Sequence, residues 1–204
     1  MMYRKTYFCV CEGQQEEMYL KRVAFLLKKF PERVVTFNTT YGLPERLKKN
    51  YTEYDNAALF DYDFKDTEFR QNIEICEQLQ RKSRRENGKN VYHAYSNVNI
   101  DLWFILHKED FNRPVATNDA YIADVRRIYG LNREADIKEK ANLERILKQI
   151  TLEDVRHAIR RADQIRAGKL QSDCFMVGTV ACYSNPDFSI HNFLKIVLHD
   201  CGEL

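Results

Sequence analysis

The stretch Ala57-Ala58-Leu59-Phe60-Asp61-Tyr62-Asp63 ends an apolar run on two carboxylates spaced i, i+2. In an extended chain, side chains two residues apart point to the same side, so Asp61 and Asp63 face one site together. Two carboxylates held that close in a partly dry setting repel each other, and a bound divalent cation relieves the repulsion. The chemistry this pattern points to is a Mg²⁺ or Mn²⁺ site. A strand that ends in an Asx-type turn with solvated acids has the same sequence, and the segment by itself does not separate the two.

The elements around it narrow the choice. A short apolar run without alternation suits a central strand of a parallel sheet, covered on both faces. Tyr7-Phe8-Cys9-Val10-Cys11 is a second such run, and it stops at Glu12-Gly13. After Gly13 the period changes: Tyr19, Val23, Leu26, Leu27 and Phe30 share one face of a helix that closes near Pro31. Residues 34–37 read as a short strand and 44–51 as a short helix. Strand, helix, strand, helix, strand predicts an α/β sheet with right-handed crossovers. Ligands of such sheets collect outside the carboxyl ends of the strands, where Glu12, Asp61 and Asp63 all fall, and this convergence favours the metal site over the solvated turn.

Further along, Phe69, Ile73, Cys76 and Leu79 mark a helix that runs into Arg81-Lys82-Ser83-Arg84-Arg85-Glu86-Asn87-Gly88-Lys89. Arg81, Arg84, Arg85 and Lys89 make a local positive patch, either a solvated helix end that suits the macrodipole or a phosphate-binding surface. Residues 91–95 read as a strand. Ser96, Asn97 or Asn99 can cap the next helix, which contains Trp103. Asp101 lies in its first turn, where a carboxylate serves either a site or the helix dipole. His107, among apolar neighbours, reads as a hydrogen-bonded core histidine rather than a base.

Residues 118–168 are helical, with stripes at Tyr121, Val125, Ile128, Tyr129 and at Leu143, Ile146, Leu147, Ile150. Thr151 to Asp154 forms a capping box for a helix with Val155, Ala158, Ile159, Ala162 and Ile165 inward. Arg156, Arg160, Arg161 and Arg166 are placed on its outer face, a solvated surface or one that tracks a phosphate backbone. Residues 175–182 read as one strand, Asn185-Pro186 as a turn, and Ile190, Phe193, Leu194 and Val197 as a closing helix. The expected organisation is an α/β core over 1–115, a helical insertion or appended layer over 116–170, and a strand and helix over 171–204 that complete the core.

A chain of 204 residues with 44% hydrophobic and 30% charged residues fits one large globular domain. Seven Gly and four Pro leave no room for a low-complexity linker. The net charge of +2 gives no global field for nucleic acid, so local patches must supply any attraction. No apolar run approaches the ~18 residues that span a bilayer and no leader pattern opens the chain, so a cytoplasmic protein without membrane attachment is expected. Six scattered cysteines without C-x-x-C spacing read as free thiols in a reducing compartment.

Taken together the pieces resemble the RloB family, which is linked to restriction loci and abortive phage defence. The resemblance rests on Cys11-Glu12-Gly13-Gln14-Gln15-Glu16 with Tyr19, on Asp61-Tyr62-Asp63, on Ser96-Asn97 through Trp103-Phe104-Ile105-Leu106-His107, and on Asn185-Pro186 with His191. Family members usually read Ser-Asn-Pro where this chain has Ser96-Asn97-Val98, and Glu where it has Asp101; neither change removes a carboxylate. RloB proteins are similar to the Toprim superfamily of topoisomerases, primases and nucleases. The resemblance therefore implies a Toprim-like, Rossmann-like, mostly parallel sheet flanked by helices. It also implies that Glu12, Asp61 and Asp63 bind Mg²⁺ or Mn²⁺ and support phosphodiester cleavage, with Asp101 as an accessory ligand. A hard cation on a few carboxylates keeps positions for water and phosphate, so water is the expected attacker.

The expected function is a metal-dependent nuclease acting on DNA or RNA, with Arg81, Arg84, Arg85, Lys89, Arg156 and Arg160 on the nucleic acid. A non-catalytic effector that binds nucleic acid or a partner protein is the alternative. A haloacid dehalogenase-type phosphatase with Asp61 as nucleophile is a minor one, because that motif normally lies on the first strand. A partner protein of a defence operon is expected to restrain the activity, and a homodimer is expected from the prevalence of two-fold dimers.

Overall fold

The computed structural model describes residues 3–30, 32–86 and 88–203. Strand β1 (Tyr3–Cys11) is followed by helix α1 (Gln14–Leu27), edge strand β2 (Arg33–Tyr41), a 3₁₀ segment (Pro44–Lys49) and β3 (Asp55–Asp61). Helix α2 (Asp66–Glu86), β4 (Val91–Asn97) and α3 (Ile100–Lys108) come next. Helices α4 (Ile122–Tyr129), α5 (Lys140–Lys148) and α6 (Leu152–Ala167) precede a hairpin of β5 (Cys174–Val177) and β6 (Val180–Tyr183). The short β7 (Asp187–Phe188) and α7 (Ile190–Asp200) follow.

The sheet runs β2-β1-β3-β4-β7, with the first four strands parallel and β7 antiparallel to β4. The fold is α/β and Rossmann-like, as the alternation of periods predicts. Chain order departs from β1 in both directions, to β2 on one side and to β3 on the other. The gap between the carboxyl ends of β1 and β3 is thus the switch point at which such sheets bind ligands.

Both faces of β1 and β3 are covered, which is why their sequences do not alternate. Tyr7, Cys9, Cys11, Ala57 and Leu59 join one cluster with α1, α3, α7 and the helices after residue 118. Val10, Ala58 and Phe60 join a second with α2 and the hairpin, around Phe69, Ile73, Tyr95 and Cys182. The apolar residues of α4, α5 and α6 thus share one core with Trp103 and Phe104 rather than forming their own. Five cysteines are buried and Cys174 is half-buried, all of them free thiols.

Two expectations change in detail. β2 spans nine residues rather than 34–37, because as an edge strand it buries Val35 and alternates with polar Thr36 and Asn38. Residues 175–182 are two strands, with Gly178 (φ +58°) supplying the left-handed turn between them. The expected helix stop at Pro31 lies outside the described residues; α1 itself ends at Leu27. The capping box at Thr151 is present: its hydroxyl accepts the Asp154 N–H at 3.2 Å, and Asp154 accepts the Thr151 N–H at 2.8 Å. Among the described residues no helix is long and apolar enough to cross a membrane.

Candidate functional site

The carboxyl end of β1 stays in register with β3 beyond the strand proper, because the Glu12 N–H donates to Leu59 O at 3.0 Å. The Glu12 side chain then turns across the switch point and accepts the Asp61 N–H at 2.9 Å. Gly13 is extended and opens α1. Three residues into that helix Glu16, buried, turns back to accept the Gly13 N–H at 2.9 Å. Its neighbour Gln15 donates Nε2 to Asp101 Oδ1 at 2.8 Å, tying the start of α1 to the start of α3. Asn99, one of the three candidate caps, is the residue that caps α3, accepting the Asp101 N–H at 3.2 Å. The chain leaves β3 through two consecutive left-handed residues, Asp63 (φ 47°) and Phe64 (φ 57°), with the Asp63 N–H on Val98 O at 3.0 Å. A non-glycine residue in that conformation costs steric energy, Phe64 more than Asp63, so the turn after β3 is locally strained.

Five carboxyl groups therefore gather at one end of the sheet: Glu12, Glu16, Asp61, Asp63 and Asp101. Burial pushes Glu16 up to about 7, backbone N–H donors opposing it and the charges of Glu12 and Asp101 adding to it. Asp61 is raised well above the usual carboxylate range by desolvation and by repulsion from Glu16, Glu12, Asp63 and Asp101. Asp101 is raised to about 6 by burial, against the Gln15 hydrogen bond and the more distant Lys138 charge. Glu12 is also raised by burial, against its bond from Asp61 N–H. The nearest compensating cation is Lys65, 3.9 Å from Asp63. The cluster is short of positive charge, and its donors are the hard oxygens that Mg²⁺ and Mn²⁺ prefer. Among the described residues no three His, Cys, Asp or Glu side chains converge closely enough to hold a metal as they stand. Glu12 and Glu16 each commit one oxygen to a backbone N–H, which leaves the other oxygen of each carboxylate for an ion. By donor chemistry the set fits a hard divalent ion.

The basic residues are not brought to this end. α2 starts just after Asp63, and Arg84 lies 18 residues beyond Asp66, about 27 Å away at 1.5 Å per residue. Arg81 and Arg85 share that far end, and Lys89 precedes the start of β4. Arg156 pairs with Glu153 at 3.0 Å and with Glu203, and Arg160 lies 3.6 Å from Glu153. Glu203 follows Asp200, which accepts the Tyr7 hydroxyl and sits 3.7 Å from Lys5 near the start of β1. The patches expected to engage nucleic acid thus occupy the opposite end of the sheet from the acids.

Two arginines of the expected outer face of α6 turn inward. Arg161 binds Asp110 at 2.6 Å and the Leu106 carbonyl at 2.8 Å. Arg166 binds the fully buried Asp187 at 2.5 Å, the Phe188 carbonyl at 2.7 Å and the Ala181 carbonyl at 3.0 Å. Helical spacing placed them beside Arg156 and Arg160, but their partners, the end of α3 with Asp110 for Arg161 and the hairpin with β7 for Arg166, were not legible.

His107 is the core histidine expected, 2.7 Å from Trp103 O and 3.1 Å from the Tyr19 hydroxyl. Asn185 clasps the backbone of Val115 through both side-chain atoms, at 2.8 and 3.1 Å. Asp61 closes the third strand rather than the first, so the dehalogenase arrangement gains nothing from the fold. Sequence reasoning missed Glu16, Gln15 and Lys65. Glu16 is at the N3 position of α1, where a capping box places Glu, but Gly13 lacks the side chain that completes the pattern and so hides it.

No curated protein and no solved structure matches the chain. A family model described as RloB-like protein matches residues 7–194, from β1 into α7 and across every element that builds the acidic cluster. On that match the chain belongs to the RloB-like family.

Proposed function

We propose that this protein is a Mg²⁺- or Mn²⁺-dependent nuclease of Toprim type that cleaves phosphodiesters of DNA or RNA in bacterial anti-phage, abortive-infection defence. The observation that carries it is the gathering of Glu12, Asp61, Asp63 and Asp101 at the β1/β3 switch point, where burial raises the proton affinities of Glu12, Asp61 and Asp101. Glu12, Asp61 and Asp63 would hold the ion, and Asp101, steadied by Gln15, would add a further oxygen. A bound divalent ion polarises phosphoryl oxygens and lowers the pKa of water. Glu16, titrating at about 7, holds or releases a proton at neutral pH and suits acid–base work beside that centre. Lys65, more than half exposed beside Asp63, would meet a phosphate brought to the ion. Arg81, Arg84, Arg85, Lys89, Arg156 and Arg160 would engage nucleic acid only where it reaches round to the far end of the sheet.

The test is calorimetric titration of Mn²⁺ and Mg²⁺ into the protein and into Asp61→Asn/Asp63→Asn, followed by incubation with mixed DNA and RNA. Binding that disappears in the double variant, with cleavage of one polymer, supports the nuclease and identifies its substrate. Cleavage by the variant at the rate of the unaltered protein sinks it.

One observation favours a second function, a non-catalytic effector that binds nucleic acid or a partner protein: the acids and the arginine patches sit at opposite ends. Loss of phage protection in Arg84→Ala/Arg85→Ala, with protection intact in the acid variant, selects that function. Restraint by a partner protein and a homodimeric state remain part of the proposal, to be checked by sedimentation with and without the proteins encoded alongside it.

A further inference from the structure

β7 pairs with β4 at Ser96 and Asn97, so the outer edge of β4 before Tyr95 is not covered by a strand. Between that edge, α2 and the β5–β6 hairpin lies a cavity of about 390 Å³ whose lining includes Gln80, Arg81, Arg84, Val91, His93 and Val180. Its volume is in the range of small-molecule sites. Its chemistry is divided. Val91 and Val180 supply an apolar wall, while Arg81 and Arg84, one turn apart on α2, supply two guanidinium groups. Arg81 reaches its nearest carboxylate, Glu77, at 3.7 Å, and Arg84 forms no ion pair among the described residues. Glu77 also lines the cavity, but its carboxylate is committed to the Thr179 hydroxyl and N–H, the latter at 3.1 Å.

Two further groups present a specific pattern. Gln80 accepts the Val91 N–H through Oε1, which fixes the orientation of the amide. Its Nε2 is buried with no hydrogen-bond partner among the described residues, and such orphaned donors are rare in folded proteins. His93 Nδ1 lies 3.0 Å from Ser189 Oγ, and that hydroxyl also donates its single proton to His93 O at 3.0 Å. The arrangement that satisfies both contacts puts the imidazole hydrogen on Nδ1 and leaves Nε2 as an acceptor. The cavity thus offers one donor, one acceptor, a hydrophobic wall and a two-arginine fork.

We propose that this cavity binds a mononucleotide, its phosphate on Arg81 and Arg84 and its base between Val91 and Val180. The base presents an acceptor to Gln80 Nε2 and a donor to His93 Nε2. The planar guanidinium groups match a phosphate, and a base edge that carries both an acceptor and a donor matches the donor of Gln80 and the acceptor of His93. This site is separate from the acidic cluster and does not rest on the nuclease function.

The experiment is calorimetry in EDTA with AMP, GMP, CMP and UMP, with the matching nucleosides, and with inorganic phosphate. At least one mononucleotide is expected to bind about tenfold or more tightly than its nucleoside and than phosphate. Arg84→Ala, an exposed helix substitution that leaves the fold intact, is expected to weaken that binding about tenfold, and Gln80→Glu, which removes the donor, to weaken it as well. Asp61→Asn/Asp63→Asn is expected to leave it unchanged. No mononucleotide binding at millimolar concentration, binding indifferent to Arg84→Ala, or binding lost in the acid variant each overturns the proposal. A protein that binds the mononucleotide but cleaves nothing would leave this site standing and remove the nuclease.

Discussion

Replacing Glu16 by Gln should change how stability depends on pH, and the sign follows from the site. In the folded chain Glu16 titrates at about 7, against 4.5 for the same group in the unfolded chain. Between those values the folded state holds a proton that the unfolded state has lost, so stability falls as pH rises through the window. The displacement of about two and a half units corresponds to about 3 kcal/mol, fully present as a cost above pH ~7 and absent below pH ~4. That is a large share of a total stability of about 5–15 kcal/mol. Gln keeps an oxygen for the Gly13 N–H and never ionises, so the variant escapes this cost. Urea unfolding in EDTA at pH 5 and pH 8 is the assay, and the unaltered protein should lose about 2–3 kcal/mol more than Glu16→Gln between the two. Mg²⁺ added at pH 8 should restore stability to the unaltered protein. Parallel pH profiles for the two proteins would refute the argument that Glu16 is buried among like charges.

Arg166→Met should destabilise the fold by about 3–5 kcal/mol, because it strands the buried Asp187 carboxylate and two backbone carbonyls. Chemical denaturation measures this directly, and a loss under about 1 kcal/mol would mean that Arg166 is the solvated residue its helical spacing suggests. Asn99→Ala should cost about 1–2 kcal/mol, since it removes the α3 cap and the side-chain bond to the Asn118 carbonyl at 2.9 Å. A thermal midpoint unchanged from the parent protein would contradict that assignment.

Much of the site was legible in the chain because parallel strands write their burial plainly. Two unbroken apolar runs, each ending on an acid, were enough to place Glu12 and Asp61 at the same end of one sheet. The reach of β2 was not legible, because an edge strand that buries few residues looks like loop. Nor was β7, two residues long and held by Arg166 and Tyr95 rather than by its own pattern. Glu16 escaped notice for a different reason: its partner at the helix start is a backbone N–H, and backbone groups leave no trace in sequence. The basic residues show the opposite failure. Charge runs are visible, but which end of a 21-residue helix lies near the acids depends on the direction of the chain through the fold.

The last described helix has a consequence for the order in which this molecule can fold. α7 lays Phe193 against Tyr7 and Phe37 and receives the Tyr7 hydroxyl at Asp200, a contact between residues 193 positions apart. The part of that face of the first two strands that α1 does not cover is therefore bare until the chain has been made as far as α7. Contacts that distant slow folding and keep it cooperative. On a ribosome, the strands that carry Glu12, Asp61 and Asp63 would exist for some time as an unfinished sheet, so the acidic cluster would be assembled late in synthesis rather than as its residues emerge.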